Sequence, residues 1–205
     1  EDLASFWQAI AKEFSTFKNI YGYGLMNEPH DLAPETKWFD MAQASINAIR
    51  EVDTNTLIMV GGNDWSSAER WIEQSDTLKF LKDPANNLAF EAHVYFDKDA
   101  SGTYKYSYEE EECYPEKGID RVKPFVEWIK QNKFHGFIGE YGIPDNDPRW
   151  NETLDLFLGY LQENGINGTY WAAGPWWDTY FMAITPKDGK DRPQMPIIEK
   201  YTSTL

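Results

Sequence analysis

A chain of 205 residues is long enough for one domain with its own hydrophobic core. The formal net charge of −15 argues against nucleic acid as a partner, because Lys and Arg are the residues that neutralise phosphate. No apolar run is long enough to cross a bilayer, which argues against a membrane, and the single cysteine, Cys113, excludes an internal disulfide.

Helical and strand-like segments alternate along the chain. Apolar residues at helical spacing predict a helix from about residue 2 to 17, and an aromatic, glycine-containing run from Ile20 indicates a first strand. Pro34-Glu35-Thr36 predicts the start of the next helix. The later predicted elements are strands at 56–60, 88–96, 136–140 and 168–171, and helices at 69–73, 119–131, 147–164 and 196–200.

This alternation is typical of a parallel sheet with helices outside it. Five strands are visible where a closed barrel of strands and helices needs eight. The sequence therefore predicts an α/β fold, a parallel (β/α) barrel of the TIM type with only about five strand–helix units. Because the first residue is Glu1 and not Met, we expect the chain to be a piece of a longer translation product.

The first predicted strand ends in polar residues, Asn27 and Glu28, followed by Pro29. Pro29 cannot donate to a sheet ladder, so the strand should end there, and Glu28 should be extended because it precedes a proline. A carboxylate at the C-terminal tip of a barrel strand is a candidate for catalysis. A buried or capping carboxylate at a strand end is the alternative.

Other predicted strands place polar or aromatic side chains at the same edge of the predicted sheet. Glu140 ends the fourth strand and Trp171 the fifth, while His93 and Tyr95, two residues apart, share one face of the third. Two carboxylates facing a common cleft are what glycoside hydrolysis needs: one protonates the leaving oxygen, and the other attacks or activates water. The pair carries the inference, and this chemistry needs no metal and no cofactor.

Four motifs follow one another along the chain: Asn27-Glu28-Pro29-His30-Asp31, His93-Val94-Tyr95-Phe96-Asp97, Gly139-Glu140-Tyr141-Gly142, and Thr169-Tyr170-Trp171-Ala172-Ala173-Gly174-Pro175-Trp176-Trp177. They resemble glycoside hydrolase family 5 and are most similar to its fungal-type endo-β-1,4-glucanases, the cellulases. They occur in the family's order, and a further segment, 62–68, is also similar. The similarity covers essentially the whole chain but only the last five of the family's eight strand–helix units.

The resemblance implies a retaining mechanism in which Glu28 is the general acid/base and Glu140 is the nucleophile. It also implies that Asn27 hydrogen-bonds the sugar 2-hydroxyl and that Tyr95 holds Glu140 in place. His93 would lie close to the carboxylates, and Trp171 would stack beneath the sugar being cleaved. His93 and Tyr95 could instead be hydrogen-bonding core residues.

Three further residues are candidates for substrate binding, with loop packing or a surface position as the alternative: His30, Trp65 and Trp176. The segment 97–118 is too long for a simple connection, and loops of that length are usually functional or mobile. Its run Glu109-Glu110-Glu111-Glu112 lacks the ligand spacing of a calcium loop, so we expect a solvated charge run.

The resemblance implies endo-acting cleavage of β-1,4-glucosidic bonds in cellulose-type glucans by a single catalytic domain, 1–205, that corresponds to the C-terminal portion of the barrel. It also implies secretion, since a polymeric substrate stays outside the cell. Two alternatives remain. The chain is a truncated, weakly active or inactive fragment that binds glucan, or it is a β-mannanase or mixed-linkage glucanase, because the carboxylate pair does not choose the polymer.

A complete family member carries, on the strands that precede this segment, an arginine and a further histidine that line the cleft. Neither can be assigned in this sequence. A five-stranded piece would also expose backbone donors and acceptors along two sheet edges. We therefore expect a complementing chain with the N-terminal half of the barrel, or a second copy of this chain, to cover these edges.

Overall fold

The computed structural model describes residues 2–33 and 37–202. The strands are β1 Gly22–Gly24, β2 Leu57–Gly61, β3 Leu88–His93, β4 His135–Tyr141 and β5 Asn167–Tyr170. The helices are α1 Asp2–Phe14, α2 Trp38–Arg50, α3 Trp71–Ser75, α4 Lys117–Asn132, α5 Arg149–Glu163 and α6 Met195–Tyr201, with 3₁₀ turns at Asp76–Phe80 and Pro175–Trp177. The five strands are neighbours in chain order in one sheet, which confirms the predicted strand–helix units of a partial (β/α) barrel.

Several strands end earlier than the sequence suggests. The strand predicted at 88–96 ends at His93, so Tyr95 belongs to the loop that follows it, and Trp171 comes directly after β5. The helix predicted to continue to residue 17 ends at Phe14. The predicted helix start at Pro34-Glu35-Thr36 lies outside the described residues.

Contacts divide the chain into two compact units, Glu1–Ala92 with Glu127–Phe137, and His93–Val126 with Ile138–Leu205. In the first unit β1 and β2 are parallel, with Tyr23 opposite Ile58, and β2 and β3 are parallel, with Val60 opposite Phe90. All four side chains are buried. These side chains belong to the hydrophobic core that covers the paired strands β1, β2 and β3.

Two tryptophans of the first unit fix the ends of its strands. The Trp7 indole nitrogen of α1 donates to the carbonyl oxygen of Leu25, just after β1, at 2.9 Å. The Trp38 indole nitrogen of α2 donates to the carbonyl oxygen of Gly61, the last residue of β2, at 2.7 Å. Each helix therefore satisfies a backbone acceptor at the edge of the sheet where the candidate residues lie.

The core of the second unit lies between β4, α4 and α5, with Phe125, Ile138, Leu154 and Phe157 fully buried. No side chain could occupy position 118 without a clash, because a Cβ on Gly118 would lie 2.8 Å from the Phe96 ring. The absence of a side chain at the start of α4 thus lets the loop after β3 pack against the core.

A buried carboxylate anchors the backbone of the long loop at 97–118. Glu111 is buried and accepts the backbone N–H groups of Lys98 and Tyr106 at 2.8 and 2.9 Å. The prediction of a solvated charge run is therefore wrong at Glu111, although its three neighbours are on the surface. Burial of one residue in a run of four glutamates follows no periodic pattern, so the sequence could not indicate it.

In the part of the chain that the structure describes, no helix combines the length and the apolar character that crossing a bilayer requires. The single-domain assignment of 1–205 stays a prediction.

Candidate active site

The tip that follows β1 carries Asn27, which is exposed, and Glu28, which is half-buried. Glu28 has a φ of 44°, in the left-handed region, so the prediction of an extended residue is wrong. A following proline ordinarily favours the extended region, and Glu28 departs from that preference. One left-handed residue also breaks the strict alternation of a strand, so Asn27 and Glu28 need not face opposite sides.

Gly61, the last residue of β2, leaves space for the tip that follows β1. A Cβ on Gly61 would lie 3.0 Å from the carbonyl oxygen of Met26 and 3.5 Å from Cδ of Pro29. A side chain at position 61 would press on the backbone of this tip, which would have to shift by a few tenths of an ångström. The glycine pair at 61–62 therefore shapes the candidate site as well as ending a strand.

His30 and Trp65 form one wall of an open groove in the first unit. Their rings stack, with centroids 4.5 Å apart and planes 15° from parallel. Trp65 lies in a turn in which Asp64, Trp65 and Ser66 all have positive φ, and Asp64 is held by Arg70 at 2.7 Å. The groove has a volume of about 490 Å³, and its other lining residues include Pro29, Asp31, Lys37, Asn63, Gln74 and Thr77.

In the second unit, two side chains converge on the carboxylate of Glu140. The Tyr95 hydroxyl donates to Oε2 of Glu140 at 2.8 Å, and Nδ1 of His93 lies 3.7 Å from the same oxygen. The backbone supports this arrangement, because the N–H of Val94 donates to the carbonyl oxygen of Glu140 at 3.0 Å. The predicted grouping of His93, Tyr95 and Glu140 is therefore present, although Tyr95 lies beyond the strand.

Burial, the negative charge of Glu140 and the hydrogen bond to it all raise the pKa of Tyr95 well above its usual value. The raised pKa favours the neutral hydroxyl, which is the form that donates to Glu140. A hydroxyl that donates to a carboxylate favours the ionised form of that carboxylate. The geometry suits a carboxylate that must remain charged and correctly oriented.

Trp171 is anchored to the residue that follows Glu140. Its backbone N–H donates to the carbonyl oxygen of Tyr141 at 2.9 Å, and its ring meets Trp177 edge-on at 4.9 Å. A cis peptide bond joins Trp171 to the following residue. Trp176, by contrast, is 89% exposed, in the 3₁₀ turn after β5. Of the two, Trp171 is the one that the packing holds in a fixed orientation.

Sequence reasoning did not select Tyr180 and Tyr104. The ring of Tyr180 packs on Trp177 at 5.0 Å, and burial is the main reason that its pKa is raised. Tyr104 is buried beside Tyr95, with ring centroids 6.5 Å apart. Neither residue lies in a periodic segment. The Asp97-x-x-x-Ser101-Gly102 pattern, typical of a carboxylate-capped turn, is the one signal that could have pointed to the loop around Tyr104.

Comparison with known proteins agrees with the geometry. The family model described as Cellulase (glycosyl hydrolase family 5) matches residues 1–176. Endo-beta-1,4-glucanase B of Emericella nidulans is 36% identical over 193 residues, which are 92% of this chain and 56% of that protein.

Solved structures match along nearly the whole chain. Pseudomonas stutzeri endoglucanase Cel5A in complex with cellobiose is 43% identical with a TM-score of 0.91, and the match covers 98% of this chain and 60% of that one. XacCel5A in complex with cellopentaose is 38% identical with a TM-score of 0.88, over 98% of this chain and 65% of that one. This chain thus spans less than two thirds of the length of these relatives. It belongs to glycosyl hydrolase family 5, as its motifs indicated.

Proposed function

We propose that this chain carries the catalytic carboxylates of a retaining, endo-acting hydrolase of β-1,4-glucosidic bonds in cellulose-type glucans. The observation that carries the proposal is the Glu140 carboxylate, which accepts the Tyr95 hydroxyl at 2.8 Å and has His93 at 3.7 Å. Relatives named as endo-β-1,4-glucanases support the reaction, and the complexes of two relatives with cellobiose and cellopentaose support the polymer.

In the proposed reaction Glu140 is the nucleophile. One of its carboxylate oxygens attacks the anomeric carbon while the glycosidic C–O bond breaks, and Glu28, in its acid form, gives its proton to the leaving oxygen. Water then attacks the anomeric carbon of the glycosyl-enzyme ester. Glu28 takes the water proton, the ester bond breaks, and Glu140 is released as a carboxylate.

The remaining residues bind and orient the substrate. We assign to Asn27 a hydrogen bond to the sugar 2-hydroxyl and to Trp171 the stacking platform of the cleaved sugar, because flat aromatic rings match the apolar faces of glucose units. The stacked pair of His30 and Trp65 borders a groove of the size that small ligands use, and we assign it a further sugar. Trp176 is an exposed candidate for an outer sugar.

Because a glucan polymer does not enter cells, we propose that the protein acts outside the cell. The preference for glucan over mannan or mixed-linkage glucan rests on the relatives' names and complexes, since the carboxylate pair serves all three substrates. An assay with all three polymers separates these activities.

The test is the release of reducing sugar from carboxymethylcellulose by the purified chain and by Glu28→Gln and Glu140→Gln. We expect both variants to lose at least about a thousandfold in activity, because a missing nucleophile or a missing acid removes most of the catalytic advantage. Glu110→Gln is the matched control: this exposed carboxylate accepts the backbone N–H and the hydroxyl of Ser107, within its own loop. It should retain full activity.

Two other results would contradict the proposal. If Glu28→Gln or Glu140→Gln keeps the parent's activity, the assignment of the pair is wrong. If the parent chain binds cello-oligosaccharides without hydrolysing them, even when a chain with the preceding strand–helix units is added, the protein is a glucan-binding fragment and not an enzyme.

A further inference from the structure

A buried tyrosine in the long loop after β3, Tyr104, joins the two backbone segments that carry Tyr95 and Glu140. Its hydroxyl accepts the N–H of Phe96 at 2.9 Å and donates to the carbonyl oxygen of Gly142 at 2.6 Å. Phe96 directly follows Tyr95, and Gly142 lies two residues beyond Glu140. One hydroxyl group therefore spans the gap between the segments on which the hydrogen-bonded pair depends.

The loop holds Tyr104 in a fixed place. The buried carboxylate of Asp97 accepts the backbone N–H groups of Gly102, Thr103 and Tyr104 at 3.0, 2.9 and 3.2 Å. The Tyr104 ring packs edge-on against Trp150 at 5.0 Å. A carboxylate that caps three consecutive N–H groups, together with a locked ring, leaves the hydroxyl little freedom.

The same loop also fixes Tyr95 itself. A Cβ on Gly102 would lie 3.0 Å from Cγ and Cδ1 of Tyr95, so the loop backbone packs directly on that ring. The carbonyl oxygen of Tyr95 accepts Nη1 of Arg121 at 2.5 Å. The Val94–Glu140 backbone bond links β3 to β4 before Tyr95, and the Tyr104 hydroxyl links the two segments after it.

We propose that Tyr104 is a positioning residue that acts on the reaction through Tyr95: its hydroxyl keeps the Tyr95 hydroxyl within hydrogen-bonding distance of the Glu140 carboxylate. The inference rests on the proposed function, in which Glu140 is the nucleophile. Hydrogen bonds weaken steeply with distance and misalignment, so a small separation of the two backbone segments loosens the 2.8 Å bond. A looser bond leaves the nucleophile less well oriented for attack.

The first test needs no activity. Labelling the Cζ carbons of the twelve tyrosines with ¹³C gives one signal per tyrosine, and Tyr95→Phe assigns the Tyr95 signal by removing it. Glu140→Gln shows how far that signal moves when the acceptor loses its charge. We expect Tyr104→Phe to move the Tyr95 signal in the same direction, because loss of the Tyr104 hydroxyl weakens the bond from Tyr95 to Glu140. Phenylalanine keeps the ring, so only the hydroxyl is removed.

Tyr108→Phe is the matched control. Tyr108 is a buried tyrosine of the same loop whose hydroxyl bonds to Oγ1 of Thr153 at 3.1 Å and whose ring also packs on Trp150, at 4.7 Å. It should leave the Tyr95 signal in place. A Tyr95 signal that does not move in Tyr104→Phe, or that moves equally in Tyr108→Phe, would overturn the inference.

The second test uses hydrolysis of cellopentaose by Tyr95→Phe, Tyr104→Phe and the double variant. Tyr104→Phe should lower kcat about tenfold with little change in KM, since the bond it supports acts on the attacking carboxylate. In the Tyr95→Phe background, Tyr104→Phe should lower kcat by less than about twofold. Equal losses in both backgrounds would mean that Tyr104 serves only the loop.

The two tests separate this inference from the proposed function. If the parent chain hydrolyses nothing, even when a chain with the preceding strand–helix units is added, the proposed function fails, and the tyrosine spectra still decide whether Tyr104 positions Tyr95. If the parent is active and the Tyr95 signal is unmoved in Tyr104→Phe, the inference fails and the proposed function stands.

Discussion

Glu28 has a backbone conformation that residues other than glycine rarely adopt. Its φ is 44°, and the residues of the neighbouring turn, Asp64, Trp65 and Ser66, have φ values of 55°, 57° and 53°. Left-handed non-glycine residues carry a cost of about 1–3 kcal/mol each and are concentrated at functional sites. Both the candidate acid and the aromatic groove wall therefore include left-handed residues, although Asn86 and Lys133 of the same unit are left-handed as well.

Gly142 is a residue at which one added methyl group would reach the site directly. A Cβ there would lie 2.4 Å from the carbonyl oxygen of Trp171, and a backbone atom cannot move aside cheaply. We expect Gly142→Ala to displace Trp171 and weaken its stacking on sugar. Cellopentaose affinity, measured by calorimetry in the Glu140→Gln background, should fall about tenfold, close to the ~1.4 kcal/mol that an aromatic contact contributes.

Gly159→Ala is the control for this prediction. Position 159 lies inside α5, where a Cβ would meet its first neighbour, the Tyr201 hydroxyl, at 3.3 Å. The helix preference of alanine over glycine offsets this tight contact, and the position contacts no candidate site residue, so this variant should bind cellopentaose as the parent does. Unchanged affinity in Gly142→Ala would show that the Trp171 ring is not a sugar platform.

The connection between α2 and β2 depends on Asp53. Its carboxylate accepts the N–H groups of Asn55 and Thr56 at 2.9 and 3.0 Å, the Thr56 hydroxyl at 2.6 Å, and the Tyr23 hydroxyl of β1 at 2.9 Å. Burial alone raises the pKa of Asp53, but these hydrogen bonds outweigh it and lower the pKa to about 2. One carboxylate thus joins a turn to two neighbouring strands.

This lowered pKa makes a prediction about acid stability. The folded-state pKa lies below the usual value of 3.8, so the stabilisation is present above pH 4 and is lost as the pH falls towards 2. The size of the shift corresponds to about 2 kcal/mol. In Asp53→Asn the free energy of unfolding should be lower at pH 7, and its decline between pH 4 and pH 2 should be smaller by about that amount.

Urea denaturation at a series of pH values measures this difference. Asp188→Asn, which changes an exposed carboxylate, is the control and should follow the parent curve throughout. If Asp53→Asn shows the same acid slope as the parent, the carboxylate is not what stabilises this turn above pH 4.

The order of the elements was predictable because each strand is a short apolar run bounded by glycine, proline or polar residues. The ends of the strands were less predictable. β3 stops at His93 because Phe96 and Asp97 bond to Tyr104 and to the loop backbone, and no local pattern encodes such partners. The candidate site residues were recognisable from motifs. The left-handed conformation of Glu28 was not, because a residue before proline is ordinarily extended.

The buried polar residues of the long loop lay furthest from what the sequence could reveal. Tyr104 and Glu111 belong to a loop without periodicity, and their importance follows only from their burial and their backbone partners. Patterns of residue type report which face of an element is buried. They do not report which hydroxyl or carboxylate satisfies a distant backbone group.

The whole molecule combines a strongly acidic surface with exposed aromatic rings. Among the first 21 residues, Phe6 is 55%, Phe17 50% and Tyr21 66% exposed, and Tyr21 precedes β1, an edge strand of the sheet. Apolar groups next to an open strand edge favour pairing with another chain. The net charge of −15 opposes association between identical copies.

We therefore expect light scattering to show self-association that increases with salt. At about 0.5 M salt the repulsion between copies is screened over a few ångström, while the apolar attraction remains, so the average mass should exceed that of one chain. Changing Phe6 and Phe17 to Gln should shift the chain towards monomer, whereas Phe80→Gln, an equally exposed ring elsewhere in the first unit, should not. A monodisperse monomer at both low and high salt would contradict the need for a second copy or a complementing chain.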